Sequence, residues 1–248
     1  MIRIHADRLS KNYSDYGILS EISLDIIEGT FVTLFGQSGC GKSTLLRILA
    51  GLEPPTSGYI TRTEQDISSI VNFVFQSPAL LPWRNVYQNI ELPFVLKKIK
   101  RACYQQQIEK AIDMVRLTGH EKKYPRELSG GMRMRVSIAR ALAQEVDLLY
   151  MDEPFSSLDE ISRSELNNIL NSLVNKLGLT IVFVTHNIDE AIRLSDKIII
   201  LGGKPSRITN EITINKSFIG ESEFESSNVY MQYKNEITKA LYDNSGRI

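Results

Sequence analysis

An α/β fold with a buried parallel sheet is what this 248-residue sequence predicts, on three observations. Apolar runs of strand length recur at residues 31–35, 148–151, 181–184 and 197–201, and they are continuous rather than alternating. Parallel strands covered by helices on both faces read this way. Helical periodicity lies between them: Leu166, Ile169, Leu170, Leu173, Val174 and Leu177 share one face. The 31–35 run also ends in a glycine-rich turn that leads into another helical pattern. Apolar strand followed by amphipathic helix is the repeating pattern of α/β proteins.

Residues 2–9 and 22–27 read as β segments, the second with partial alternation. The 31–35 strand precedes Leu45, Leu46, Ile48 and Leu49, which mark one face of a helix. From Asn85 to about Leu142 the patterns are helical, without a buried strand. Asn85 with Gln88 resembles a capping box. Ile108, Ala111, Ile112 and Val115 make one stripe; Val136, Ala139 and Ala143, with Ile138 and Leu142, make another. The 148–151 strand, the 166–177 helix and strands at 180–185 and 197–201 complete the core. After Gly202 and Gly203 the pattern weakens, and the polar, Ser/Glu-rich stretch 219–228 reads as loop. The expectation is a single domain, 1–248, with an α/β core (1–84 and 143–248) and an inserted helical subdomain (85–142).

Hydrophobic residues make up 42% of the chain, enough for a sizeable core. Lys and Arg number 29 and Asp and Glu 29, so the formal net charge is zero. That disfavours a nucleic-acid partner and a polybasic membrane anchor. Cys40 and Cys103 are too few for a disulfide framework and are expected reduced. The N-terminal segment carries charges where a signal peptide needs an apolar core, so export is not expected. No apolar stretch approaches the length of a membrane span. If the protein works at a membrane, a partner must hold it there.

Gly36, Gln37, Ser38, Gly39, Cys40, Gly41, Lys42 and Ser43 fit G-x-x-x-x-G-K-[ST] between a strand and a helix, the context that motif needs. Glycines let successive N–H groups point inward as an anion nest, and the helix N-terminus adds partial positive charge. Lys42 is placed to reach β- and γ-phosphates, Ser43 offers a hydroxyl to Mg²⁺, and Cys40 reads as a small loop residue rather than a nucleophile. The apolar run at 148–151 ends in Asp152 and Glu153. A carboxylate at the end of a parallel strand faces the ligand crevice. Asp152 would hold Mg²⁺, through water, and Glu153 would orient and deprotonate an attacking water.

Between these two motifs stand Leu128, Ser129, Gly130, Gly131 and Met132. With them the chain resembles the ATP-binding-cassette (ABC) ATPases, in the family's motif order and over nearly all of its length to about Leu201. Gln76 after Phe75 matches the Q-loop, residues 128–132 the signature motif, Asp152 and Glu153 Walker B, Ser157, Leu158 and Asp159 the D-loop, and His186 after Thr185 the switch histidine. Tyr13 stands where the adenine-stacking aromatic is expected, with Tyr16 as a rival. The fold this implies is a P-loop NTPase (RecA-like) core with an N-terminal antiparallel β subdomain and an inserted α-helical subdomain. The implied ATP site comprises Tyr13, residues 36–44 including Thr44, and Gln76; the implied metal set is Ser43, Gln76 and Asp152. Glu153, His186 and Lys42 would be catalytic, with His186 on the γ-phosphate. Ser129, Gly130 and Gly131 would contact ATP held by a second subunit, so a head-to-tail dimer, most simply of two identical copies, is implied. Position 132 is Met where Gln is commonest in the family.

Leu80, Leu81, Pro82, Trp83, Arg84, Asn85 and Val86, with residues 152–159, narrow the resemblance to the nitrate/sulfonate/taurine-type importer ATPases, a group that includes thiamine-precursor importers. Such a cassette, at the cytoplasmic face of the membrane, would use ATP and Mg²⁺ to drive uptake of a small solute. Integral membrane permease subunits would hold it through a groove at about residues 77–95, and an extracytoplasmic solute-binding protein would take part indirectly. With roughly 45 residues after Leu201, a regulatory barrel like that of sugar-importer relatives is not expected. A soluble cassette acting on ribosomes or DNA is disfavoured by the absence of tandem cassettes and by zero net charge. The Leu81, Pro82, Trp83 region disfavours an exporter, and the 128–132 element disfavours a P-loop kinase or GTPase.

Overall fold

The computed structural model describes residues 1–62, 72–216, 224 and 227–245. In chain order these form β1 (Ile2–Tyr13), β2 (Tyr16–Ile27), β3 (Phe31–Gly36), α1 (Lys42–Ala50), β4 (Ser57–Arg62), β5 (Phe73–Val74), α2 (Val86–Ile90), α3 (Leu92–Leu96), α4 (Gln105–Met114), α5 (Gly130–Leu142), β6 (Leu148–Asp152), α6 (Glu160–Leu177), β7 (Thr180–Thr185), α7 (Ile188–Leu194), β8 (Lys197–Gly202), β9 (Arg207–Thr213) and α8 (Asn228–Ser245). They pack as two compact units, Met1–Val71 with Thr180–Ile248, and Asn72–Leu179. Of the stretch 219–228 expected as loop, all but Phe224, Ser227 and Asn228 lie outside the described residues.

The first unit holds an antiparallel sheet in the order β2-β1-β4. Strands β1 and β2 are longer than their apolar patterns suggest, meeting at a two-residue turn with Tyr13 opposite Tyr16. Ile4, Ala6 and Leu9 of β1 face Ile22, Leu24 and Ile26 of β2 in the core. The alternation continues inward at Lys11, a lysine buried by its aliphatic stem, which is why an apolar pattern stops short of it. In the second sheet of this unit β3 lies between β7 and β8, parallel to both, and β9 pairs antiparallel with β8. Its runs are apolar throughout because every residue of β3 and β7 is buried. Helix α8, absent from the sequence expectation, packs Tyr230, Ile237 and Ala240 on Ile192, Ile198, Ile200 and Ile212. Its inward stripe is made of tyrosines and alanine as much as aliphatics, so its apolar signal is weak.

The second unit contains the parallel pair β5–β6 and helices α2 to α6. The expected capping box is present: the Asn85 side chain accepts from the Gln88 amide at 2.8 Å and the Gln88 side chain from the Asn85 amide at 3.1 Å. Ile108, Ala111, Ile112 and Val115 are buried, as their stripe requires. Helix α6 begins at Glu160 because Asp159 caps it, accepting from the Ser162 amide at 2.9 Å. Both cysteines are free thiols. Among the described residues no helix is long and apolar enough to cross a membrane.

Candidate functional site

In the first unit the glycine-rich turn leaves the C-terminal end of β3. Gly36 has φ 154°, and a Cβ there would lie 2.6 Å from the Leu201 carbonyl oxygen of neighbouring β8. Only glycine lets the chain turn that close to a strand. Gly41, at φ 92°, opens α1 without a side-chain cap, and the first turn carries no acid. The N–H groups of the first turn and the positive helix end therefore suit an anion. Lys42 is buried, and its Nζ donates to the carbonyl oxygens of Gly36 and Gln37, each at 2.9 Å. Gln37, Ser38 and Gly39 are exposed; Ser43 and Thr44 are half-buried. Burial pushes the Cys40 thiol above its ordinary value, against the pull of the Lys42 charge, which lowers its thiolate fraction.

Phe35 of β3 is in register with Thr185 of β7, so the phosphate loop and His186 leave adjacent parallel strands at the same end. His186 is exposed there. Its turn is fixed on both sides: the Thr185 hydroxyl donates to Glu190 Oε2 at 2.5 Å and accepts from the Asn187 amide at 3.0 Å. Tyr13, exposed at the end of β1, donates its hydroxyl to Glu53 Oε1 at 2.5 Å. Tyr16, the rival aromatic, is more exposed still, at 60% against 46%.

In the second unit Asp152 ends β6 and is buried, and Glu153 follows at φ 43°, a left-handed conformation that costs a non-glycine residue about 1–2 kcal/mol. Such strain at the last acid of a strand is a mark of functional sites. Gln76 is exposed and donates from Nε2 to Ser156 Oγ at 3.0 Å, three residues past Glu153. Sequence reasoning missed Arg140, whose guanidinium donates to the Pro78 and Ala79 carbonyls, each at 3.0 Å, and anchors the segment after Gln76 on α5.

Ser129 is exposed and caps α5, accepting from the Met132 amide at 3.2 Å. The Gly130 and Gly131 backbone follows as the first turn. Gly131 is required for packing as well, since a Cβ there would lie 2.8 Å from both Cβ and Oγ of Ser162 on α6. Ser162 Oγ in turn donates to Asp159 Oδ2 at 2.8 Å, so Gly131 and Asp159 share a neighbour. These two hydrogen bonds from Ser162 hold the Asp159 carboxyl below its ordinary value. Tyr13, residues 36–44 and His186 thus belong to one unit, and Gln76, Ser129, Gly130, Gly131, Asp152, Glu153 and Asp159 to the other.

The fold and these motifs define an ATP-hydrolysing cassette. Residues 19–156 match the family described as ABC transporter. The chain is 40% identical, over 88% of its length and 85% of the other, to an aliphatic sulfonates import ATP-binding protein, SsuB, of Bacillus licheniformis. It is 39% identical, over 88% of its length and 66% of the other, to a spermidine/putrescine import ATP-binding protein, PotA, of Acetivibrio thermocellus. A dimeric ATP-binding cassette solved in a post-hydrolysis state bound to ADP and Pi superimposes with TM-score 0.73 at 29% identity, over 86% of this chain and 99% of that one. The chain belongs to the ABC transporter family, with the P-loop NTPase fold and the ATP hydrolase activity of that family.

Proposed function

We propose that the chain is the ATPase subunit of an importer, working as a head-to-tail pair of copies at the cytoplasmic face of a membrane. The observation that carries this reading is that one chain opens two helices on glycine-containing turns that would suit anions, one at α1 with Lys42 and one at α5 with exposed Ser129. A single triphosphate bound at the first leaves the second without a use unless a neighbouring copy supplies the nucleotide. Among the described residues no group of three or more His, Cys, Asp or Glu could hold a metal. A hydroxyl from Ser43, a carboxylate from Asp152 and an amide from Gln76 fit magnesium, which keeps waters and phosphate oxygens in its shell. Magnesium, when bound, neutralises charge on the transferred phosphate.

Lys42 would give up its carbonyl contacts for the β- and γ-phosphates, with residues 36–41, Ser43 and Thr44 lending N–H and hydroxyl groups. Tyr13 would stack on adenine and His186 would hydrogen-bond the γ-phosphate. Glu153 would take the proton of the attacking water. Ser129, Gly130 and Gly131 would close on the partner copy's γ-phosphate, with Asp159 at the same junction. Gln76, bonded to Ser156 and followed by a segment anchored by Arg140, would report the state of the site to a permease. Trp83, 70% exposed, and Leu96, 74% exposed, give the helical region an apolar surface for that partner. Both named relatives are import proteins, which supports uptake of a small solute; the sulfonate importer among them favours the nitrate, sulfonate, taurine or thiamine-precursor kind, which a separate solute-binding protein would deliver. Glu153→Gln should bind ATP normally and lose at least about 100-fold in turnover, the contribution of a positioned base. Steady-state ATPase unchanged in that variant removes Glu153 from its role.

A further inference from the structure

The residues beneath Tyr13 form a support that the family motifs do not include. Lys11 points inward from β1, buried along its stem, and its Nζ donates to the Pro54 carbonyl at 2.8 Å. The same ammonium lies 2.9 Å from Glu53 Oε1 and 5.1 Å from the centre of the Tyr13 ring. Glu53 Oε1 therefore receives both Lys11 and the Tyr13 hydroxyl. Thr44, the second residue after Lys42 on α1, also acts on the Tyr13 phenol, pulling it down against the effect of Glu53. The 53–56 segment is itself tied to β1: the Asn12 amide donates to Thr56 Oγ1 at 3.0 Å and the Thr56 amide to the Ser10 carbonyl at 2.8 Å. Pro54 and Pro55 limit its backbone freedom.

From this chain of contacts, Tyr13 to Glu53 to Lys11 to Pro54, we infer that Glu53 and Lys11 are positioning residues for the nucleotide base. They fix the Tyr13 ring at one setting relative to β1 and the 53–56 segment that follows α1, and the Lys11 cation on one side of the ring leaves the opposite face for the base. The inference rests on the reading of Tyr13 as the base platform. The charges are consistent with it. Partial burial pushes the Glu53 carboxyl up, but hydrogen bonds from Lys11 and Tyr13 hold it below its ordinary value, so it is ionised at neutral pH. The hydrogen bond to Glu53 raises the Tyr13 phenol, which therefore stays a donor. A hydrogen-bonded, cation-flanked ring loses less freedom when a base stacks on it, which strengthens binding without a new contact.

The test is calorimetric binding of ATP and of inorganic tripolyphosphate to the full chain and to Glu53→Ala, Lys11→Met and Tyr13→Ala. Stacking of a base on an aromatic contributes about 5- to 150-fold in affinity, and a loosened ring should forfeit part of it. Glu53→Ala and Lys11→Met are expected to weaken ATP about three- to tenfold with tripolyphosphate unchanged, and Tyr13→Ala more, with no further loss when Glu53→Ala is added. Glu53→Gln, which keeps an acceptor for the tyrosine, should recover part of the loss and serves if the alanine variant folds poorly. ATP affinity unchanged in Glu53→Ala and Glu53→Gln but lowered in Tyr13→Ala overturns the positioning role and leaves the platform standing. No effect of Tyr13→Ala overturns both. Equal weakening of tripolyphosphate shows a general structural role and also overturns the inference.

Discussion

Gly131 is needed for two reasons, and only one is visible in a motif. As part of a serine–glycine turn it leaves its N–H group open; in the fold it also lets α5 meet α6, where a Cβ would lie 2.8 Å from Ser162. Gly131→Ala should cost about 1–3 kcal/mol in urea unfolding, as overpacking does, and Ser162→Gly should return part of it. Asn89 makes a comparable case. It is fully buried, its Oδ1 accepts from the Leu81 amide at 2.8 Å, and its Nδ2 donates to the carbonyls of Leu81, Arg84 and Asn85. Asn89→Leu should destabilise the fold by about 1–3 kcal/mol, because backbone groups lose partners in a buried place, and should speed hydrogen exchange at Leu81. The capping pair Asn85 and Gln88 was legible because both members lie within one turn. Asn89, one residue further, carried no signal, since a buried asparagine is recognised only by what surrounds it.

At the scale of elements, the strands β3, β6, β7 and β8 were readable because burial on both faces makes their central runs continuously apolar. The β1–β2 hairpin was read short, since Lys11 replaces an apolar residue on the inward face. Strands β4 and β9 were missed; most of their residues are exposed, which leaves little apolar alternation to detect. Helix α8 is held on α7 by polar contacts too: the Tyr230 hydroxyl and Lys234 Nζ donate to Asp189 Oδ1 at 2.6 and 2.9 Å. Partial burial raises the Asp189 carboxyl, but these hydrogen bonds outweigh it and leave the group below its ordinary 3.8. A depressed acid contributes its stability above the unfolded value and loses it as pH falls through the folded one. Protection of α8 amides against hydrogen exchange, corrected for intrinsic rates, should therefore hold at neutral pH and drop below about pH 4. In Asp189→Asn the protection should be lower at neutral pH and that step should vanish. Because α7 starts directly after His186 and Asn187, the contact bears on the proposed γ-phosphate histidine.

For the molecule as a whole, the proposal concerns pairing. In a head-to-tail pair each triphosphate is held by Lys42 of one copy and covered by Ser129 of the other. Two inactive variants, Lys42→Ala and Ser129→Arg, should then complement one another, since a mixed pair keeps one intact combination. Restored ATPase on mixing supports the arrangement; two preparations that stay inactive together, although light scattering shows them paired, contradict it. Glu153→Gln should also double in mass when saturated with ATP. What the amino-acid order alone determined is the family: the phosphate loop, the acids at and just past the end of β6 and the serine–glycine turn are short, contiguous patterns, and local spacing specifies them. What only the tertiary structure decided is the support behind each one. Glu53 stands 40 residues from Tyr13, Arg140 62 from Pro78, and Tyr230 41 from Asp189. Contacts over such separations depend on strand register and helix packing, which bring distant side chains together and leave no periodic trace in the order of residues.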